Sequence, residues 1–253
     1  MPTEILPSLT MIAVAVPTLI AAYIIFGIAG FGSALIAAPI LAQFMPVSEI
    51  VPLMALIDCA AAITNGVKLG DKIDKPEMIW LVPLMFAGSL VGAYLLLVVP
   101  AKPMMLALGI FVVGYAVYAL ISPPARPGLA QPWVLLFGSV GGIFSAMFGS
   151  GGFIYAMYLS RRIEDKNAIR ATQSALIALA TFTRAVIFAF AGFYSDWTLP
   201  VFALLLAPAM LIGIFAGHRI TLNMSREQFL RILYVVLIGT GTMLIVRALG
   251  GLS

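Results

Sequence analysis

The stretch Gly27-Ile28-Ala29-Gly30-Phe31-Gly32-Ser33-Ala34 interrupts a long apolar run, and a similar interruption returns at Phe148-Gly149-Ser150-Gly151-Gly152-Phe153. Gly30 and Gly32 match Gly149 and Gly151 at one offset of 119 residues. Glycine has the most backbone entropy to lose and no side chain to pack, so a cluster of glycines ends a helix. In hydrocarbon the freed amides and carbonyls need partners, and such a break survives only where protein buries it or it lines a polar cavity. Paired breaks at corresponding places in two halves of a membrane chain point to a transport site.

The setting of these breaks is lipid. The chain is 62% hydrophobic and 9% charged over 253 residues, against about 25% charged in a soluble domain. A net charge of +4 does not imply nucleic acid here, because the basic residues sit between apolar spans as the positive-inside rule expects. A single cysteine, Cys59, rules out an internal disulfide framework and reads as a small core residue. Met1 to Pro7 hold no Lys or Arg, so the first apolar segment is expected to stay as a membrane element and not to act as a signal peptide.

Apolar runs and their Pro, Gly or charged punctuation predict an all-α polytopic membrane protein of ten segments. These are 8–29, 33–46, 48–68, 77–99 and 102–121, then 132–148, 151–161, 167–192, 198–219 and 227–249. A spanning helix needs about 20 residues, so 33–46 and 151–161 read as half-helices or re-entrant limbs. The Pro-rich segment from Ser122 to Gly128 cannot continue a helix. This divides the chain into a first repeat over 1–121, a linker over 122–131 and a second repeat over 132–253. Pro83, Met85, Gly88, Gly92 and Gly114 recur as Pro208, Met210, Gly213, Gly217 and Gly239 at an offset of 125.

If the ten elements alternate sides, Lys68, Lys72, Lys75, Arg126, Arg161, Arg162, Lys166, Arg170, Arg219, Arg226 and Arg231 gather on one side, with Lys102 and Arg247 on the other. The first side is then cytoplasmic and both termini face outward. With five elements per repeat, the second repeat is inverted relative to the first, as alternating access requires.

Two ionisable residues fall deep in apolar segments, Asp58 and Arg184. A charge at the bilayer centre costs at least about 2.5–3.5 kcal/mol, so such residues mark a pathway or pair with each other. Arg184 is read as the fixed cation for an anionic substrate, because a guanidinium presents forked donors to oxyanions. Amides and helix dipoles at Ser33 and Gly152 would point to the same place, and Thr181 and Thr183 would add hydroxyls. By the 119 offset Asn65 is the counterpart of Arg184. The alternative roles for Arg184 are a structural pair with Asp58 or snorkelling to the interface. Asp58 is equally read as a carboxyl that takes up and releases a coupling proton or as a permanent partner of Arg184.

Other features carry a plainer reading. Gly88/Gly92 and Gly213/Gly217 allow close helix approach, within the chain or in a homodimer. Thr172, Gln173 and Ser174 open the eighth segment as a helix start or a cavity wall. His218 lies at a segment end, and Trp80, Trp133 and Trp197 sit where an aromatic belt is expected. Gly149-Ser150-Gly151-Gly152 loosely echoes the serine of an intramembrane protease, but that chemistry needs a base and the sole histidine, His218, falls on the predicted membrane edge. With no Cys–His cluster, neither catalysis, nor a cofactor, nor a metal is expected.

The duplicated motif, Gly30-Phe31-Gly32-Ser33-Ala34-Leu35-Ile36-Ala37-Ala38-Pro39 and Gly149-Ser150-Gly151-Gly152-Phe153-Ile154, resembles that of the TauE/SafE family of membrane transporters, as do the Gly88–Gly92 and Gly213–Gly217 blocks. The family's first motif usually carries a fuller run of glycines where this chain has Ser33 and Ala34, and Tyr158 stands in the second repeat where the first has Pro39. The resemblance implies movement of sulfur-containing anions such as sulfite, sulfonates or sulfoacetate, and implies export. Substrate contacts are expected from Arg184, Gly30, Gly32, Ser33, Gly149, Ser150, Gly151, Gly152, Thr181 and Asn65, with Asp58 as coupling candidate. The partners expected are the lipid bilayer, a small anion and a second copy of the chain. A passive anion channel and a non-transporting scaffold are the alternatives.

Overall fold

A computed structural model describes residues 9–64, 72–121, 128–220 and 226–250. Among them are ten helices and no strand: α1 (Leu9–Ala29), α2 (Ser33–Leu41), α3 (Val47–Thr64), α4 (Lys75–Val98), α5 (Ala101–Ile121), α6 (Trp133–Phe148), α7 (Gly152–Arg162), α8 (Lys166–Phe190), α9 (Thr198–Ile220) and α10 (Arg226–Gly250). Six are long and apolar enough to cross a bilayer, namely α1, α3, α4, α5, α8 and α9. The chain is thus a multi-pass membrane protein. By a rise of about 1.5 Å per residue, α2 and α7 reach only about 14 and 17 Å, half of the roughly 30 Å hydrocarbon core.

Helix boundaries follow local chemistry. Asp74 caps α4 by accepting from the Glu77 amide at 3.1 Å, and Pro76 suits the first turn. The helix therefore starts two residues earlier than the apolar pattern suggests. At α2 the pattern runs too long: the helix stops at Leu41, the next residues form a turn with Phe44 and Met45 amides on the Leu41 carbonyl, and Pro46 disfavours helix just before itself. Of the proposed linker, residues 122–127 lie outside the described residues; beyond them Gly128 and Leu129 donate their amides to the Arg161 carbonyl at 3.0 Å.

Helices pair closely where side chains vanish. A Cβ on Gly88 or Gly92 of α4 would run into the Ser139 and Ile143 carbonyls of α6. Likewise Gly213 and Gly217 of α9 abut the Ile20 and Ile24 carbonyls of α1. Both pairs run parallel. These glycine faces are spent inside the chain, which removes them as contacts for a second copy. Gly114 and Gly239, in the same sequence register, have nothing within 4 Å of an added Cβ. Further packing sets α5 against α10, α3 against both α8 and α9, and α4 against α8, with α2 on α1 and α7 on both α6 and α8. Outward faces carry exposed Leu, Ile, Val and Phe on α4, α5, α6 and α9, the surface a lipid-bathed protein needs.

Candidate anion site between the two broken helices

The two glycine breaks meet in the interior. After α1, Gly30 and Gly32 take left-handed backbone (φ 78° and 97°) before α2 starts. After α6, Gly149 does the same (φ 68°), and α7 starts at Gly152. Gly149 is doubly constrained, since an added Cβ would lie 2.6 Å from the Ala34 Cβ and 3.0 Å from Arg184 Nη1. A Cβ on Gly152 would lie 3.1 Å from the Phe31 Cβ. The leading amides of α2 and α7 have no acceptor within their own helices. Each helix start also carries roughly half a positive charge from its aligned peptides.

Arg184 of α8 reaches this meeting point and is only 1% exposed. Its Nη2 donates to Asp58 Oδ2 at 2.9 Å, an ion pair between α8 and α3. Its Nη1 donates to the Ser145 carbonyl at 2.9 Å. The other carboxylate oxygen, Asp58 Oδ1, accepts from the hydroxyls of Tyr23 and Ser33, each at 2.7 Å. Among the described residues, two buried side-chain polar atoms are left without a hydrogen-bond partner, Arg184 Nε and the Tyr155 hydroxyl. Buried polar atoms are rarely left unpaired, and each one calls for an explanation.

All of these residues except Tyr23 line one cavity with room for about 20 Å³, roughly a single water. Around it stand Gly32, Ser33, Asp58, Gly149, Ser150, Gly151, Gly152, Thr181 and Arg184, all singled out from the sequence, together with Ser145 and Tyr155, which were not. Gly30 faces a separate, larger cavity, Thr183 lines neither, and Asn65 lies outside the described residues. Ser150 turns its hydroxyl to the Phe148 carbonyl at 2.9 Å. The pairing of Arg184 with Asp58, one of the alternatives open from sequence, is in place. The side chains missed by sequence reading, Tyr23 and Tyr155, are tyrosines within apolar helices; only their burial beside a charge distinguishes them from packing residues.

A second ionic cluster lies at the far end of α7. Buried Glu77 of α4 accepts from the Tyr158 hydroxyl at 2.6 Å and from Arg162 Nε at 2.8 Å. Arg162 Nη2 completes the ion pair at 2.7 Å, and Nη1 donates to the Leu129 carbonyl at 2.8 Å. The hydrogen bond to Glu77 holds the Arg162 guanidinium above its already high ordinary pKa. At the end of α2, Arg247 of α10 donates to the Gln43 carbonyl at 2.7 Å.

Chemically, the central cavity offers a guanidinium, a phenol and two helix starts, with one carboxylate in opposition. Neither the curated proteins nor the solved structures yield a match to this chain. A family model described as sulfite exporter TauE/SafE matches residues 15–244, spanning both breaks and both ionic clusters. The chain therefore belongs to the TauE/SafE family of sulfite-exporter-like membrane transporters.

Proposed function

We propose that the protein moves small sulfur-containing oxyanions, such as sulfite and organosulfonates of the sulfoacetate type, across the cytoplasmic membrane by alternating access, in the direction of export. One observation carries the reading: Arg184 Nε and the Tyr155 hydroxyl are buried, unpartnered and line the same cavity between two helix starts. Each has a donor to give, and an oxyanion would accept both. The Asp58 carboxylate balances Arg184, but the two helix starts leave a positive surplus.

Asp58 is the coupling residue in this scheme. It holds Arg184 through one oxygen and the Tyr23 and Ser33 hydroxyls through the other, so it competes with the anion for the guanidinium. A cavity with room for one water also requires the broken ends to part before an anion enters.

The reading of two inverted five-element repeats draws support from the packing. Exchanging α1–α5 with α6–α10 turns the α1–α9 pair into α6–α4, and α3–α9 into α8–α4, while α5–α10 and α3–α8 map onto themselves; all of these contacts occur. In this topology α2 and α7 are re-entrant, both termini face outward, and the loop-rich basic side is cytoplasmic.

The test is thermal stabilisation of purified protein by sulfite, sulfoacetate, taurine, sulfate and acetate, with Arg184→Gln and Tyr155→Phe as comparisons. A ligand of the native site raises the melting temperature by mass action. Sulfite or a sulfonate should stabilise the wild type, Tyr155→Phe should shift less, and Arg184→Gln should not respond. An equal response from Arg184→Gln would assign that residue a purely structural role.

A further inference from the structure

Beside the central cavity lies one of about 810 Å³, walled by the end of α1, the C-terminal part of α5, α7, the start of α8 and Tyr234 of α10. Among the described residues that line it, Arg170 is the charged one; it is exposed and has no ionic partner among the described residues. A second guanidinium stands at its rim, where Arg161 Nη2 donates to the hydroxyl of the lining residue Tyr118 at 3.2 Å. No carboxylate is found among the described residues that line it. Arg170, Gln173 and Ser174 place polar groups along the first turns of α8, and the Gln173 amide reaches the Gly152 carbonyl at the head of α7 at 3.5 Å.

Phe31 is the side chain that lines both cavities. It is flanked by Gly30 and Gly32, each in left-handed backbone, and its Cβ sits against Gly152. Neither glycine is sterically hemmed, since an added Cβ would meet nothing closer than 3.8 Å. A bulky ring on a short glycine-flanked segment can change direction through two residues that carry little steric restriction. In the second break the corresponding position is Ser150, buried and tied to the Phe148 carbonyl.

We infer that the large cavity is the port through which a small oxyanion reaches the central site, with Arg170 supplying the attracting charge and Phe31 the movable plug between port and site. The inference rests on the proposal that the Arg184 cavity binds the anion, but its physical content is separately measurable. A mouth lined by a guanidinium raises the local concentration of anions and repels cations. A plug acts on rates of entry and leaves equilibrium contacts at the site in place.

The experiment reads thiol modification in a Cys59→Ala background, with Ser174→Cys reporting on the port and Ala180→Cys on the central cavity. Two methanethiosulfonates are compared, one carrying a sulfonate and one a trimethylammonium group. Ser174→Cys should react faster with the anionic reagent, and Arg170→Gln should erase that preference. Ala180→Cys should react slowly while Phe31 is present. In Phe31→Ala it should react at least about tenfold faster, the factor for a barrier lowered by roughly 1.4 kcal/mol. Phe31→Val serves if Phe31→Ala gives no monodisperse protein, and should fall between the two.

Unchanged reactivity of Ala180→Cys in both Phe31 variants would overturn the plug. A preference at Ser174→Cys that survives Arg170→Gln would overturn the attracting role. Because no substrate enters these measurements, the port stands or falls independently of whether sulfite stabilises the protein.

Discussion

The two glycine breaks look alike in sequence and differ in what their glycines do. At the first, Gly30 and Gly32 are needed for left-handed backbone, while the space around them is open. At the second, only Gly149 is left-handed, yet Gly149, Gly151 and Gly152 are all crowded by neighbouring atoms. The amides there are also more tightly spoken for, Gly149 to the Ser145 carbonyl and Ser150 to that of Phe144. The first break is a conformational device and the second a fitted cradle for Arg184. A repeated motif can thus preserve a shape while dividing two physical tasks between its copies.

The comparison is tested most severely at the cradled charge itself. Arg184→Gln leaves Asp58 buried without its cation, and removing one member of a buried pair costs about 3–5 kcal/mol. Denaturant unfolding in detergent should register that loss, and Arg184→Gln combined with Asp58→Asn should recover most of it. A loss as large in the double variant would mean that Arg184 is held chiefly by its packing and the Ser145 carbonyl.

Alanine in the two breaks should then separate the tasks. Left-handed backbone costs a non-glycine residue about 1–2 kcal/mol, and Gly32→Ala should lose that much and no more. Gly149→Ala carries the same strain and also drives a methyl into Ala34 and the Arg184 guanidinium, so it should be the more destabilised by thermal melting and the weaker in anion response. Equal losses at the two positions would erase the distinction between device and cradle.

The smallest effect is expected at Gly114, which shares a sequence register with the packed glycines but faces open space. Gly114→Ala should keep or raise the melting temperature, since alanine is favoured over glycine in a helix by about 1 kcal/mol. A clear loss there would reveal a contact outside the described residues.

Much of this was legible in the sequence because hydrophobic runs and their punctuation are local. Ten segments, two of them too short to span, could be read from charge and glycine placement; the end expected at 68 lies outside the described residues, and the other boundaries agree within two residues except at α2, which stops at Leu41 ahead of Pro46. The candidate site was legible where an unusual residue type stood in an apolar run, as Asp58 and Arg184 do. It was illegible where the residue type was ordinary. Tyr155 and Tyr23 look like packing residues until tertiary contact sets them beside a charge. Phe31 was visible as part of a motif, but its position between two cavities depends on helices far along the chain. The repeat register likewise gave no means of separating Gly88, pressed against a carbonyl, from Gly114, pressed against nothing.

The ties at the tails of the two short helices have a mechanical consequence. Gln43, just beyond α2, is moored by Arg247, while Tyr158 and Arg162 at the end of α7 are moored to Glu77. Any excursion of α2 or α7 that keeps these moorings must be a swing about the tail, with the greatest travel at the head. The heads are where Ser33, Gly152 and the unpartnered donors meet. Each short helix is then a lever with its fulcrum at its own tail, and a small tilt there opens the largest gap where the two heads meet.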